Sequence, residues 1–260
     1  MVNDYFYHER NIARKIRDNY KSIGKDFKNF KTDIYDPYKN QQLAINGITK
    51  EDVNQKVNLL NNYYKEVSDF LKKFLTSKEI KAQSKFRSTI IEEFCGYLFK
   101  DIATINKLGL DFFNKKVYTG ITLNNRGNPN ITTKDIDFCI GKKINAKLDT
   151  VDFEIILPLI AIECKTYIDK TMLGEALYTS QLIKKSSPLA KCFVLTEENQ
   201  IGKESIPFRG QTSLDGIFVI EENGIIKTEV TYEFFKQVAG NILRLEEERI
   251  LKKVGNILQE

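Results

Sequence analysis

Residues 153–165 read FEIILPLIAIECK, and no polar side chain interrupts the stretch from Ile155 to Ile162. Pro158 argues against a helix, and the run is far too short to cross a bilayer. A short, continuous apolar run rich in branched residues is the pattern of a strand buried on both faces. Such a strand needs covering layers on both sides, which commits the chain to an α/β architecture. The run then ends in Glu163 and Lys165, two ionisable groups that are costly to bury without partners.

Strand alternation puts Leu159, Ala161, Glu163 and Lys165 on one face and Ile160, Ile162 and Cys164 on the other. Glu163 and Lys165 are then same-face neighbours about 6.5–7 Å apart. Upstream, KDIDFCIGKK alternates with the same period, so Asp135, Asp137 and Cys139 share a face opposite Ile136, Phe138 and Ile140. If the two strands pair, a carboxylate from each and one ammonium converge on one point. Two converging carboxylates repel each other, and a hard divalent cation such as Mg²⁺ relieves that repulsion. With a lysine beside it, such a centre hydrolyses phosphodiesters by metal-assisted attack of water.

The rest of the chain supplies the scaffold. NIARKIRDNYKSI and VNQKVNLLNNYYKEVSDFLKKFL have helical spacing, with TDIYDPYKNQ read as a turn-rich connection between them. SKFRSTIIEEFCGYLFKDI is a further helix, with Ser84 a candidate N-cap and Phe86, Ile90, Phe94, Tyr97 and Leu98 as its apolar stripe. KKVYTGITLN is a strand, NNRGNPN a loop, TMLGEALYTSQLIKK a helix and AKCFVLTEE a buried strand. LDGIFVIEENGIIKTEV reads as strand, Asn-Gly turn and strand, and the chain closes on a long amphipathic helix. That helix carries Phe234, Phe235, Val238, Ile242, Leu243 and Ile250, a stripe for its own core or for an interface. The expected division is a helical region, 1–83, serving DNA recognition or dimerisation, and an α/β core with its closing helix, 84–260.

Composition narrows the chemistry. The single histidine, His8, lies in a polar opening segment, and no CxxC pair occurs among Cys95, Cys139, Cys164 and Cys192. Zinc sites and histidine-based triads therefore have almost no material. Four far-spaced cysteines in apolar settings fit buried thiols of a reducing compartment. The N-terminus lacks a signal-peptide core, so a cytoplasmic location is expected. The net charge of +5 permits a nucleic-acid partner without requiring one.

Asp137 followed by the Glu163-Cys164-Lys165 triplet resembles the PD-(D/E)XK nuclease motif. The order helix, strand, acidic strand, ECK strand, helix, strand is similar as well. The text RSTIIEEFCGYLF, KDIDFCI and ECKTYIDKTML is most similar to type II restriction endonucleases, in particular the group cutting CTNAG-like or CCTNAGC-like sites. The resemblance spans about Ser84 to Ile220 and departs from the motif at Ile136, where the family has proline. It implies a mixed-sheet nuclease core and Mg²⁺-dependent hydrolysis of double-stranded DNA that leaves 5′-phosphate ends. Asp137, Glu163 and the Cys164 backbone carbonyl would hold the metal, and Lys165 would complete the catalytic set.

Alternatives stay open within that reading. Asp135 shares the face of Asp137, which is preferred because it lies further into the strand. The resemblance also implies an acid from the preceding helix. At 100° per residue Glu93 falls at the edge of the apolar stripe and Glu92 on the far, solvated side, which favours Glu93. Lys134, Arg126, Arg209 and Gln211 are candidates for DNA contact, because their side chains meet phosphates or base edges. One motif per chain means one metal centre, so a homodimer is expected, or a heterodimer with a related subunit if the DNA site is asymmetric. A structure-specific repair nuclease or junction resolvase would use the same triad, and a non-catalytic DNA-binding protein would carry the triplet incidentally.

Overall fold

The computed structural model describes residues 5–18, 23–73, 86–148, 151–202 and 212–254, with side chains described as far as residue 245. The apolar run becomes the centre of a long strand β5 (Val151–Ile168) in a five-stranded mixed sheet. The sheet order is β1 (Asp111–Phe113), β4 (Phe138–Leu148), β5, β6 (Lys191–Asn199) and β7 (Gly216–Val219). The first three strands run antiparallel and the last three parallel. Helix α7 (Lys170–Ser186), capped by the Asp169 side chain on the Met172 amide, makes the crossover between β5 and β6. A parallel pair requires such a crossover.

Pro158 sits in this central strand without breaking it. Pairing jumps from Ile140 opposite Ile160 to Gly141 opposite Pro158, so Leu159 bulges where the proline offers no N–H. Gly141 is required there because a Cβ would run into the Leu157 carbonyl.

Both faces of the sheet are covered, as a continuous apolar strand demands. Ile160, Ile162 and Cys164 join a large core with α5 (Ser88–Phe99), the closing helix α8 (Thr228–Val254) and the N-terminal helices. Ala161 joins a second core with Cys139, Val194 and the inner side of α7. The N-terminal helices are α1 (Tyr7–Asp18), α2 (Gly24–Phe30), α3 (Asp36–Ala44) and α4 (Lys50–Lys72). Their Ile12, Phe27, Phe30, Val57 and Leu60 belong to the same core as the sheet, so the described N-terminal helices are packed on the α/β core. The expected boundary at 83/84, and the Ser84 cap, lie outside the described residues.

TDIYDPYKNQ is helical and not turn-rich. A π-helical stretch, Lys31–Tyr35, leads straight into α3, which has Pro37 in its first turn. KDIDFCI also departs from the expected strand. The hairpin β2–β3 (Val117–Leu123, Pro129–Lys134) ends at Lys134, and β4 begins only at Phe138. Ile136 is buried in the α7-side core with Cys139, and not with Phe138 as uninterrupted alternation requires.

LDGIFVIEENGIIKTEV divides into β7 and a small hairpin, β8–β9 (Glu221–Glu222, Ile225–Ile226), turned by Asn223 and Gly224 at φ of 55° and 76°. Short helix α6 (Ala103–Lys107) links α5 to the sheet. On α8, Phe234, Phe235, Val238 and Ile242 are buried in the protein's own core, whereas Leu243 is exposed. All four cysteines are buried free thiols, as expected. No described helix is long and apolar enough to cross a membrane.

Candidate active site

Where β5 emerges beyond the antiparallel pairing with β4, three ionisable side chains meet. Lys165 Nζ lies 2.9 Å from Glu163 Oε2 and 3.2 Å from Asp137 Oδ2. The same Asp137 oxygen accepts the Cys164 amide at 2.9 Å, which ties the end of the 135–137 link to β5. The buried part of β5 fixes these side chains: Ile162 pairs with Phe138 on one side, and Glu163 pairs with Val194 on the other. The glutamate and lysine at the end of the apolar run are thus each other's partners, with Asp137 as the third.

The electrostatics follow from partial burial of like charges. Burial pushes the Glu163 carboxyl up to about 7, the Asp137 charge adds to that, and Lys165 opposes both. Burial pulls the Lys165 ammonium down, but Asp137 and Glu163 outweigh it and hold Lys165 above the ordinary lysine range. The pocket therefore concentrates negative charge that one lysine only partly offsets. Such a donor set suits a hard divalent cation, with carboxylate oxygens from two directions. Among the described residues no group of three or more His, Cys, Asp or Glu is gathered as a ready metal cage. Two carboxylates leave the remaining positions to waters and phosphate oxygens, as Mg²⁺ prefers.

The helix acid is placed differently from expectation. Glu93 is almost fully buried and accepts from the backbone amides of His8 and Glu9 and from the hydroxyls of Tyr35 and Tyr97, at 2.8–3.1 Å. It faces the N-terminal helices, not the Asp137 pocket. Glu92 lines one groove with Asp135 and Asp137, and its Oε2 accepts from Asn114 Nδ2 at 3.0 Å. The same Asn114 nitrogen donates to the Asp137 carbonyl at 2.6 Å. The angular argument assumed that α5 has a solvated side, but every residue from Thr89 to Phe99 is buried. Nothing in DFFNKK marked Asn114 in advance.

The other expected residues disperse. Asp135 is exposed, in the same groove as Asp137 but outside its hydrogen bonds. Lys134 ends β3, with its ammonium 6.0 Å from the centre of the Tyr178 ring. Arg126 is in the turn at the far tip of the β2–β3 hairpin, where its amide donates to Asn124 Oδ1, and the structure does not bring it to the triad. Arg209 and Gln211 lie outside the described residues. His8, in the opening segment read as polar, is buried, its ring bonded to Thr89 and Tyr63, and burial lowers its pKa to about 3.

A family model described as Bpu10I restriction endonuclease matches residues 83–247, which include the whole site. No curated protein matches the sequence. Among solved structures, a chain titled "native BbvCI A2B2 tetramer at low resolution" superposes with a TM-score of 0.73 at 15% identity, covering 95% of this chain and 98% of that one. At that identity the likeness is one of fold, and it extends over the N-terminal helices as well as the sheet.

Proposed function

The chain belongs to the Bpu10I restriction endonuclease family, and from that premise we propose that it is a type II enzyme hydrolysing double-stranded DNA with Mg²⁺, leaving 5′-phosphate ends. The observation that carries this reading is Lys165 Nζ in contact with both Asp137 and Glu163 at the end of a rigid strand. Asp137 and Glu163 would hold the cation, with the Cys164 carbonyl between them in sequence as a further oxygen donor. When bound, Mg²⁺ supplies Lewis-acid polarisation of the phosphoryl oxygens and a lowered pKa for attacking water. Lys165 stays protonated, so it donates hydrogen bonds to the incoming water and offsets charge developing on the phosphate. Glu92, tied through Asn114 to the Asp137 backbone, is the acid from α5 that completes the pocket.

Incubation with plasmid and viral DNA in Mg²⁺, with EDTA as control, tests the reading directly. Discrete fragments with ligatable 5′-phosphate ends are expected. No metal-dependent cutting of DNA from several sources would overturn it, and cutting confined to branched substrates would transfer the site to a junction-directed nuclease.

One metal centre per chain cuts one strand, so double-strand cleavage needs a second copy or a related chain. A homodimer suits a palindromic site. The similar structure is an A2B2 tetramer, with two kinds of chain in that protein, and it favours the second arrangement here. Linear product from a single-site plasmid would establish the homodimer, and nicked circles alone would establish the need for a related subunit.

A further inference from the structure

The groove containing Asp137 is walled by residues that the chemistry does not use. It encloses about 460 Å³ and is lined on one side by helix α1 and on another by the segment Asn114–Lys116. Arg10 and Arg14 stand one helical turn apart on α1, and both are exposed. Lys115 and Lys116, also exposed, follow Asn114 directly. The acids lining the same groove are Glu92, Asp135 and Asp137, at or beside the candidate metal site.

A second, independent feature lies in the same segment. Lys115 has a φ of 112°, a backbone conformation that glycine adopts readily and lysine does not. It is held there by its amide, which donates to the Ile136 carbonyl at 3.0 Å, while Asn114 binds Glu92 and the Asp137 carbonyl. Strain of this kind persists where the surroundings over-determine it, and it collects at ligand clamps and active sites. Here it joins a lysine pair to the backbone that carries Asp137. On the opposite wall the Arg10 guanidinium lies over the Tyr7 ring, 4.7 Å from its centre, which limits its freedom.

We infer that Arg10, Arg14, Lys115 and Lys116 form a phosphate clamp, which grips the DNA backbone on one side of the scissile bond and seats the strand against Asp137. The inference rests on the nuclease reading above. A strand whose reacting phosphate lies at Asp137 and Glu163 continues into this groove, and its next phosphates meet four cations. Because the contacts are to phosphate, the clamp positions any sequence and reads none.

Salt-dependent binding tests the clamp apart from catalysis. The full chain is titrated with a duplex oligonucleotide in EDTA over a salt series, and plasmid cleavage is measured in parallel with Mg²⁺. Each lost phosphate contact lowers the slope of log affinity against log salt by about 0.9. Arg14→Ala with Lys116→Ala should therefore lower it by about 1.8, weaken binding about tenfold, and raise the DNA concentration needed for half-maximal cleavage. Lys65→Ala with Lys72→Ala, two exposed positions on α4 outside the groove, should leave the slope unchanged. Lys115→Gly removes a charge while relaxing the backbone, so it carries the test if the double variant folds poorly, with a loss of about 0.9 expected. Unchanged slopes in both groove variants of a parent that cuts DNA would overturn the clamp and leave the nuclease reading intact. A parent that neither binds nor cuts duplex DNA would overturn both.

Discussion

Glu163, half-buried, and Glu93, fully buried, are carboxyls whose pKa is pushed to about 7, mainly by burial in each case. Their surroundings differ in kind. Glu93 is ringed by donors, two amides and two tyrosine hydroxyls, and each oxygen is satisfied within the fold. Glu163 faces one ammonium, which it shares with a second carboxylate. A raised pKa accompanies both, so it does not separate function from structure. What separates them is whether the partners complete the group or leave charge to be balanced by something else. Glu93 ties α5 to the N-terminal helices, whereas Glu163 is left with charge that the proposed cation would balance.

The largest effect should come from the open site. Asp137→Asn, Glu163→Gln and Lys165→Ala should each cut the rate of DNA cleavage by about a thousandfold or more. The fold should persist, because these side chains are partly exposed and lie outside the apolar cores. Melting provides a readout besides activity. Glu163 in the folded state binds its proton up to about pH 7, above the ordinary carboxylate range. Between about 4.5 and 7 the folded state therefore holds more protons than the unfolded one, and stability falls as pH rises through that window. Glu163→Gln removes this fall, so without metal at pH 8 it should melt above the parent. Mg²⁺ should raise the melting temperature of the parent and not of the variant. A Glu163→Gln protein that cuts within tenfold of the parent would remove Glu163 from the site.

Glu93 should give the opposite signature. Glu93→Leu deprives four donors of their acceptor and should cost about 3 kcal/mol of stability. Chemical denaturation reads that loss. Cleavage per folded molecule should change little, and a specific loss of turnover in a stably folded Glu93→Gln protein would return the residue to the active site.

Glu92 and Asn114 fall between these extremes. Both touch the pocket without touching Lys165, so Glu92→Gln or Asn114→Ala should lower activity by about 10–100-fold, as for groups that orient a metal ligand. If Glu92 helps hold the cation, Glu92→Gln should also raise the Mg²⁺ concentration needed for half-maximal rate. A loss of rate with unchanged Mg²⁺ dependence would confine Glu92 to holding Asn114.

The contrast also accounts for what could be read from the residues. The apolar run specified a central strand, and its parity put Ile160, Ile162 and Cys164 on one face and Ala161 on the other, as found. The pairing of Glu163 with Lys165 was legible because strand geometry is local. The choice between Glu92 and Glu93 was not, since it depended on what covers α5. Four N-terminal helices, α8 and the sheet leave that helix no solvated side. Asn114 is brought to Asp137 by a loop whose conformation has no periodic signature, and π-helical residues 31–35 have none either.

The smallest effect concerns the other upstream acid. Unbroken alternation placed Asp135 on the face of Asp137, which was preferred because it lies further into the expected strand. In the fold, β3 ends at Lys134 and β4 starts at Phe138, so the three residues between them are free of strand parity. Ile136 turns into the α7-side core, Asp137 is bonded to Cys164 and Lys165, and Asp135 is left exposed in the groove. An exposed charge a few ångströms from a cation in water is worth about 1 kcal/mol, and less with salt. Asp135→Asn should therefore retain cleavage within about tenfold of the parent, since 1.4 kcal/mol is a factor of ten. The residual effect should shrink further as salt is raised from low to physiological levels, whereas the loss in Asp137→Asn should not. Equal losses in the two variants would mean that Asp135 swings in to share the cation once DNA is bound, and a larger loss in Asp135→Asn would transfer the ligand role to it.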